Sequence, residues 1–208
     1  MRRYVVVGTG IAGLSACEAL REHDPSSVVT MVGEEPHPFY SRPGLAYLLT
    51  GSVPEKRLYV RTQAEVAELE IQRIHARASS LDTGARTLTL EDGRALPYDR
   101  LLLATGALSI PPEFPGAELR GVMRLDGLDQ ARAMLASARR GRTAVVVGGG
   151  STAIEIVEGL HARGMRVHYF LRGDRYWSKV LDATESASVE ERLVEEGVRI
   201  HRRTEVRA

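Results

Sequence analysis

The 208-residue chain contains one cysteine, Cys17, one tryptophan and three phenylalanines. A single cysteine excludes an internal disulfide framework, a C-x-x-C redox pair and a four-cysteine zinc site. Neither sign of charge is in excess: 28 Lys and Arg against 27 Asp and Glu leave a formal charge of +1. That balance gives no electrostatic reason to expect nucleic acid or an anionic membrane as partner. The short basic clusters (Arg139, Arg140 and Arg142; Arg199, Arg202 and Arg203) read as solvated faces. Long apolar runs are also lacking, and none approaches the ~18 residues of a membrane span. The first, Tyr4–Val7, is cut by glycine and is too short for the apolar region of a secretory signal. The histidines show no metal-ligand spacing, so no metal site is expected. What remains is a globular chain, 43% hydrophobic, expected to be cytoplasmic.

Strand-like and helix-like segments alternate along it, the pattern of a parallel sheet with crossover helices. Tyr4–Val7 is apolar on both faces, as a buried parallel strand should be. Ile11, Leu14, Cys17 and Leu20 recur at helical spacing and predict a helix after the first glycine turn. It closes at Asp24-Pro25-Ser26, and Val28–Val32 is the next strand. Pro36–Ser52 reads as loop or irregular helix, and Thr62-Gln63-Ala64-Glu65 as a capping box. Arg86–Leu90 and Ala95–Tyr98 flank the hairpin signal Asp92-Gly93. Leu101–Ala104 is expected to be another buried strand, ending at Thr105-Gly106.

The Pro- and Gly-rich stretch Ser109–Gly121 marks the expected domain boundary. Beyond it the pattern restarts. Asp126 is expected to cap a helix through Ala138, followed by a buried strand at Thr143–Val147, a helix over Ser151–Arg163 and a strand at Met165–Leu171. A helix around Thr184–Glu196 should stop at Gly197, with a strand beginning at Val198. The chain then halts where a further strand is expected, so the second unit reads as incomplete.

Two glycine clusters stand at strand-to-helix turns. In Gly8-Thr9-Gly10-Ile11-Ala12-Gly13 the first glycine allows the tight turn. The second lets the backbone approach a pyrophosphate, and the third lets helix and strand pack closely. Phosphates then meet the free N–H groups and positive end of the helix. Glu34 and Glu35 follow the second strand, where a ribose hydroxyl needs an acceptor. Gly148-Gly149-Gly150-Ser151-Thr152-Ala153 repeats the arrangement, with Ala153 in the third position. Leu171 stands where an acid would select NAD. Arg172 and Arg175 follow, and nearby arginines can pair with a 2′-phosphate, so NADP(H) is expected to be accepted. The bland alternative is that both arginines are solvated.

Two fingerprints in one chain resemble the layout of the pyridine nucleotide–disulfide oxidoreductase superfamily, and most of all its ferredoxin/rubredoxin reductase and nitrite reductase flavoprotein branch. Glu34-Glu35-Pro36-His37-Pro38-Phe39-Tyr40-Ser41-Arg42-Pro43 is similar to the loop these reductases wrap around the flavin. Ala78 falls where the family backbone meets the FAD adenine, and Tyr98–Gly106 is similar to the element ending Ala104-Thr105-Gly106 beside FAD. Ser151-Thr152-Ala153-Ile154-Glu155 is similar to the second glycine motif, whose glutamate lies near the nicotinamide.

The resemblance implies an α/β fold of two Rossmann-like dinucleotide-binding units, each with a central parallel sheet, helices and a small antiparallel β element. The FAD-binding unit is expected over residues 1–110 and the NAD(P)-binding unit over 111–208. It also implies two cofactors, FAD and NAD(P)H. FAD contacts are expected from Gly8, Gly10, Ile11, Ala12, Gly13, Glu34, Glu35, Arg42, Pro43, Ala78, Ala104, Thr105 and Gly106. NAD(P)H contacts are expected from Gly148, Gly150, Ser151, Thr152, Ala153 and Arg172, with Glu155 as the catalytic candidate.

The chain departs from the family in three ways. It has no C-x-x-x-x-C, so electrons should leave the flavin directly for an external acceptor, a ferredoxin- or rubredoxin-type protein or a small molecule. Gly44-Leu45-Ala46-Tyr47 lacks the lysine many relatives carry there. Family members are about twice as long. A truncated or split dinucleotide-binding module, completed by a partner polypeptide, is therefore the alternative. A single-nucleotide enzyme such as a methyltransferase or an NAD-only dehydrogenase is a third reading, which the duplicate fingerprint disfavours. Cys17 reads as a small core residue. Tyr176 and Trp177 line a cofactor edge or simply pack.

Overall fold

The computed structural model describes residues 1–207, with the side chain of Gln63 excepted. By its internal contacts the chain forms two compact units. One combines Met1–Ser41 with Lys56–Ala107, the other Arg42–Glu55 with the chain from Leu108 onward.

The first unit contains β1 (Arg3–Val7), α1 (Ile11–His23) and β2 (Val28–Gly33); helix α2 (Gly44–Thr50) belongs to the second unit. The first then continues through α3 (Gln63–Glu68), β3 (Gln72–His75), β4 (Ala78–Asp82), β5 (Thr87–Leu90), β6 (Ala95–Pro97) and β7 (Arg100–Leu103). Strands β3, β2, β1 and β7 form one parallel sheet in that order. Alternation along a strand sends its apolar residues to opposite faces, and both faces are covered. Val6, Val29 and Met31 pack with Leu14 and Cys17 of α1. Val5, Val7 and Val32 pack with Leu88, Leu90 and Tyr98 of the antiparallel sheet β4-β5-β6 and its following turn.

The buried strand expected at Leu101–Ala104 is instead largely exposed. Leu102 and Leu103 are 42% and 59% exposed, because β7 is the edge of its sheet. Ile11 is exposed while Leu14 and Cys17 are buried and Leu20 is half-buried. The 36–52 stretch, expected as loop or irregular helix, contains a helix. Gly44–Thr50 is a regular helix with Leu45, Leu48 and Leu49 buried. The capping box on α3 is present, with both Thr62–Glu65 bonds formed.

The second unit continues with α4 (Leu128–Ser137), β8 (Thr143–Val147), α5 (Ser151–Ala162), β9 (Arg166–Phe170), α6 (Ala183–Glu195) and β10 (Arg199–His201). Its parallel sheet runs β10-β9-β8. Helix α2 crosses α5 at Gly159, where a Cβ would lie 2.5 Å from Leu49 Cβ. Arg163 donates to the carbonyls of Leu49 at 2.8 Å and Leu48 at 3.0 Å, satisfying carbonyls that the helix end leaves without an intrahelical donor.

Edge strand β8 leaves Val145 and Val147 each 54% exposed. Asp126 does not cap α4, whose N-cap is Gly127. Its carboxylate instead accepts the Ser109 N–H at 2.7 Å and faces Arg124. Arg202, exposed as expected, also pairs with the buried Glu190. Helix α6 carries a capping box, Asp182 with Glu185, and Gly197 follows it at φ +95°.

Candidate functional site

The first turn lies at the C-terminal end of β1. Gly8 has φ +123° and donates to the Val32 carbonyl at 2.8 Å. A Cβ on Gly8 would sit 2.0 Å from the Ala104 carbonyl oxygen, and one on Gly13 would sit 2.1 Å from the Gly8 oxygen. A Cβ on Gly10 would meet nothing within 4 Å. Gly8 and Gly13 are therefore glycines because backbone packs against them. Gly10 is bare toward open space, where a Cβ would fill the cradle a pyrophosphate needs. Helix α1 begins there with no side-chain cap and no acid in its first turn. Its first N–H groups lack intrahelical acceptors and its positive end faces the cradle.

The other first-unit candidates gather at the same sheet end. Ala104 donates to the Val7 carbonyl at 2.7 Å, which sets Ala104-Thr105-Gly106 beside the turn. Arg3 and Asp99 hold this register, the Arg3 N–H donating to the carboxylate at 2.7 Å. Glu34 follows β2, with its carboxylate exposed and 3.6 Å from Arg77. Arg77 precedes Ala78, the first residue of β4, so Ala78 comes near the acidic end. Glu35 accepts from the Tyr40 hydroxyl at 2.9 Å. Arg42 and Pro43 group with the second unit, where Arg42 donates to the Asp126 carbonyl at 2.7 Å and Pro43 precedes α2. Thr9 and Gly33 also pack together beside this turn. A Cβ on Gly33 would lie 2.5 Å from Thr9 Cγ2, and a glycine ending a strand is a known sign of close approach.

The second turn repeats this construction with different contacts. Gly148 has φ +149° and donates to the Phe170 carbonyl at 3.2 Å. A Cβ on it would lie 3.1 Å from that of Ala153, so the third-position methyl fills the space Gly148 leaves. Gly149 and Gly150 are open. Helix α5 starts at Ser151 with no side-chain cap and no acid in its first turn. Helices α3 and α6 instead carry capping boxes, and α4 has Asp129 in its first turn. The two helices behind the glycine turns thus carry no side-chain cap and no acid in their own first turns, as is also true of the short α2.

Glu155 is half-buried on α5, and Glu158 is exposed. Partial burial, then the Glu196 and Glu155 charges, raise the Glu158 carboxyl above its ordinary range. Burial followed by Glu158 and Glu155 likewise raises the Tyr176 hydroxyl. Glu155 therefore acts electrostatically on both groups. Leu171 is buried and Arg172 exposed, while Arg175 lies 3.7 Å from Asp174. Trp177 meets the second turn through its main chain. Its N–H donates to the Gly149 carbonyl at 3.0 Å, from a left-handed φ of +44°.

The family model of pyridine nucleotide-disulphide oxidoreductases matches residues 2–208. The chain belongs to this family. Over 95% of its length it is 31% identical to the ferredoxin–NAD(+) reductase component of the biphenyl dioxygenase system of Paraburkholderia xenovorans (strain LB400), covering 48% of that protein. It is 30% identical, over 95% of its length, to the NAD(P)H nitrite reductase of Bacillus subtilis (strain 168), covering 25% of it. In structure, 99% of the chain superposes on half of a chain in the covalent putidaredoxin reductase–putidaredoxin complex, with a TM-score of 0.90 and 29% identity. The chain spans about half the length, or less, of the curated relatives it matches. The fold is the expected pair of parallel-sheet dinucleotide-binding units, but among the described residues a small antiparallel sheet is present in the first unit alone. No helix among the described residues is long and apolar enough to cross a membrane.

Proposed function

We propose that this chain is the dinucleotide-binding part of an FAD-dependent NAD(P)H oxidoreductase that passes electrons to an external acceptor, a ferredoxin- or rubredoxin-type protein or a small molecule. The observation that carries this reading is the pair of bare glycines, Gly10 and Gly150, each at the start of an uncapped helix behind a parallel strand. Bound FAD and NAD(P)H would supply the hydride and electron chemistry, and the protein binds, orients and tunes them.

On this reading the first turn holds FAD. Gly10, Ile11 and Ala12 present N–H groups to its pyrophosphate, and Glu34 accepts from a ribose hydroxyl. Ala78 lies along the adenine, and Ala104, Thr105 and Gly106 border the flavin side. Glu35, Arg42 and Pro43 extend that binding loop. The second turn holds NAD(P)H on Gly148, Gly150, Ser151, Thr152 and Ala153, with Arg172 toward a 2′-phosphate and Glu155 toward the nicotinamide. Cys17 is buried and alone, so electrons leave without a dithiol relay.

The test is an absorption spectrum of the FAD-loaded chain before and after NADH or NADPH. Bleaching of the flavin band is the expected result, and an unchanged spectrum overturns the proposal. A second reading, a module that turns over only with a completing polypeptide, is supported by the exposed Leu102, Leu103, Val145 and Val147. Under it, bleaching appears only after that polypeptide is added.

A further inference from the structure

The segment between β9 and α6 crosses the second glycine turn and is fixed by buried polar groups rather than by regular structure. Glu190 on α6 is 3% exposed. One of its carboxylate oxygens accepts the Tyr176 backbone N–H at 2.6 Å, and the other accepts from Arg202 Nε at 2.8 Å. Ser186, one turn earlier and fully buried, donates its hydroxyl to the Tyr176 carbonyl at 2.7 Å. Both polar groups of the Tyr176 main chain are thus held by α6.

The next residue is Trp177, in the left-handed region at φ +44°, a rare conformation for an aromatic residue that surrounding contacts must impose. There its N–H reaches the Gly149 carbonyl, and its own carbonyl accepts from Val180 at 2.8 Å and Leu181 at 3.0 Å. The Tyr176 side chain is buried, within electrostatic reach of Glu155 and Glu158. Burying a carboxylate is costly unless it is paired and hydrogen-bonded. This one gives one oxygen to the Tyr176 N–H and the other to Arg202.

We infer that Glu190, with Ser186, is a positioning residue for the second dinucleotide site: it fixes Tyr176, so that Trp177 holds the Gly149 peptide in the orientation that opens the cradle to a nicotinamide dinucleotide's pyrophosphate. The inference rests on the reading of that turn as the NAD(P)H site. It assigns nucleotide affinity to a side chain that never touches the nucleotide.

The experiment uses the whole 208-residue chain and measures dissociation constants for NADH, NADPH and FAD separately, with Trp177 emission as a local reporter. Trp177 is the sole tryptophan. Replacing Glu190→Leu should weaken nicotinamide nucleotide binding at least ~10-fold and shift Trp177 emission, with FAD affinity unchanged. Glu190→Gln, which keeps an acceptor for the Tyr176 N–H, should recover most of that affinity. Should Glu190→Leu fail to fold, Glu190→Gln and Ser186→Ala carry the test, each with a loss of roughly 3-fold. Unchanged NADH and NADPH affinity in the variants overturns the inference alone, as does an equal loss of FAD binding. A wild-type chain that binds neither nicotinamide nucleotide overturns the underlying reading together with it.

Discussion

Gly8 and Ala104 meet backbone to backbone: a Cβ on Gly8 would lie 2.0 Å from the Ala104 carbonyl oxygen. The contact joins the β1 turn to the Ala104-Thr105-Gly106 element, and it separates two kinds of glycine in one motif. Gly8→Ala adds a backbone clash and strains φ +123°, so it should destabilise the first unit by about 3 kcal/mol. Gly10→Ala has room and an extended backbone, so it should cost under about 1 kcal/mol while weakening FAD binding at least ~10-fold. Thermal melts and flavin titration of both variants separate the two effects.

Gly159 lies mid-helix in α5, where alanine ordinarily stabilises by about 1 kcal/mol. Its missing Cβ is the space that Leu49 of α2 occupies, 2.5 Å away. The sign should therefore reverse, with Gly159→Ala lowering stability by roughly 1–3 kcal/mol. A urea unfolding curve reads this directly, and a raised midpoint would show that α2 does not pack there.

Asp99 is held below its ordinary value of 3.8 by the Arg3 backbone N–H first and the Arg3 side chain second. A depressed carboxyl contributes stability above its unfolded pKa and loses it as pH falls through the folded value. The β1–β7 pairing should therefore weaken below pH 3.8. In Asp99→Asn the melting temperature should be lower at neutral pH and fall less steeply on acidification. Parallel slopes for the two proteins between roughly pH 5 and pH 2 would contradict this.

Arg172 is exposed just beyond the buried Leu171, with no acid in the Leu171 position to repel a 2′-phosphate. Arg172→Glu should weaken NADPH binding at least ~10-fold relative to NADH, through loss of one charge-assisted pair and gain of a repulsion. Titration of both nucleotides checks it. An unchanged NADPH-to-NADH ratio would return Arg172 to the solvated surface.

Much of this architecture is legible before any folding. Val5–Val7, Val29–Val32 and the two glycine turns declare themselves because apolar runs and glycines at strand ends answer to local backbone chemistry. The Thr62–Glu65 capping box does so for the same reason. The edge strands do not. Apolar runs such as Leu101–Leu103 and Thr143–Val147 look alike whether a strand is central or peripheral, and only sheet order exposes Leu103 and Val145. Helix α2 is hidden by the prolines around it, and Leu45, Leu48 and Leu49 are buried where it packs in the second unit.

The sequence by itself determined the two glycine turns, the helices they open and the absence of a dithiol, because each depends on residues close together in the chain. Only the tertiary structure decided which glycines pack and which stay bare, where Arg42–Glu55 belongs, and how Glu190 reaches Tyr176. Those depend on atoms far apart in sequence meeting at van der Waals or hydrogen-bond distance, and no local pattern encodes which ones will meet.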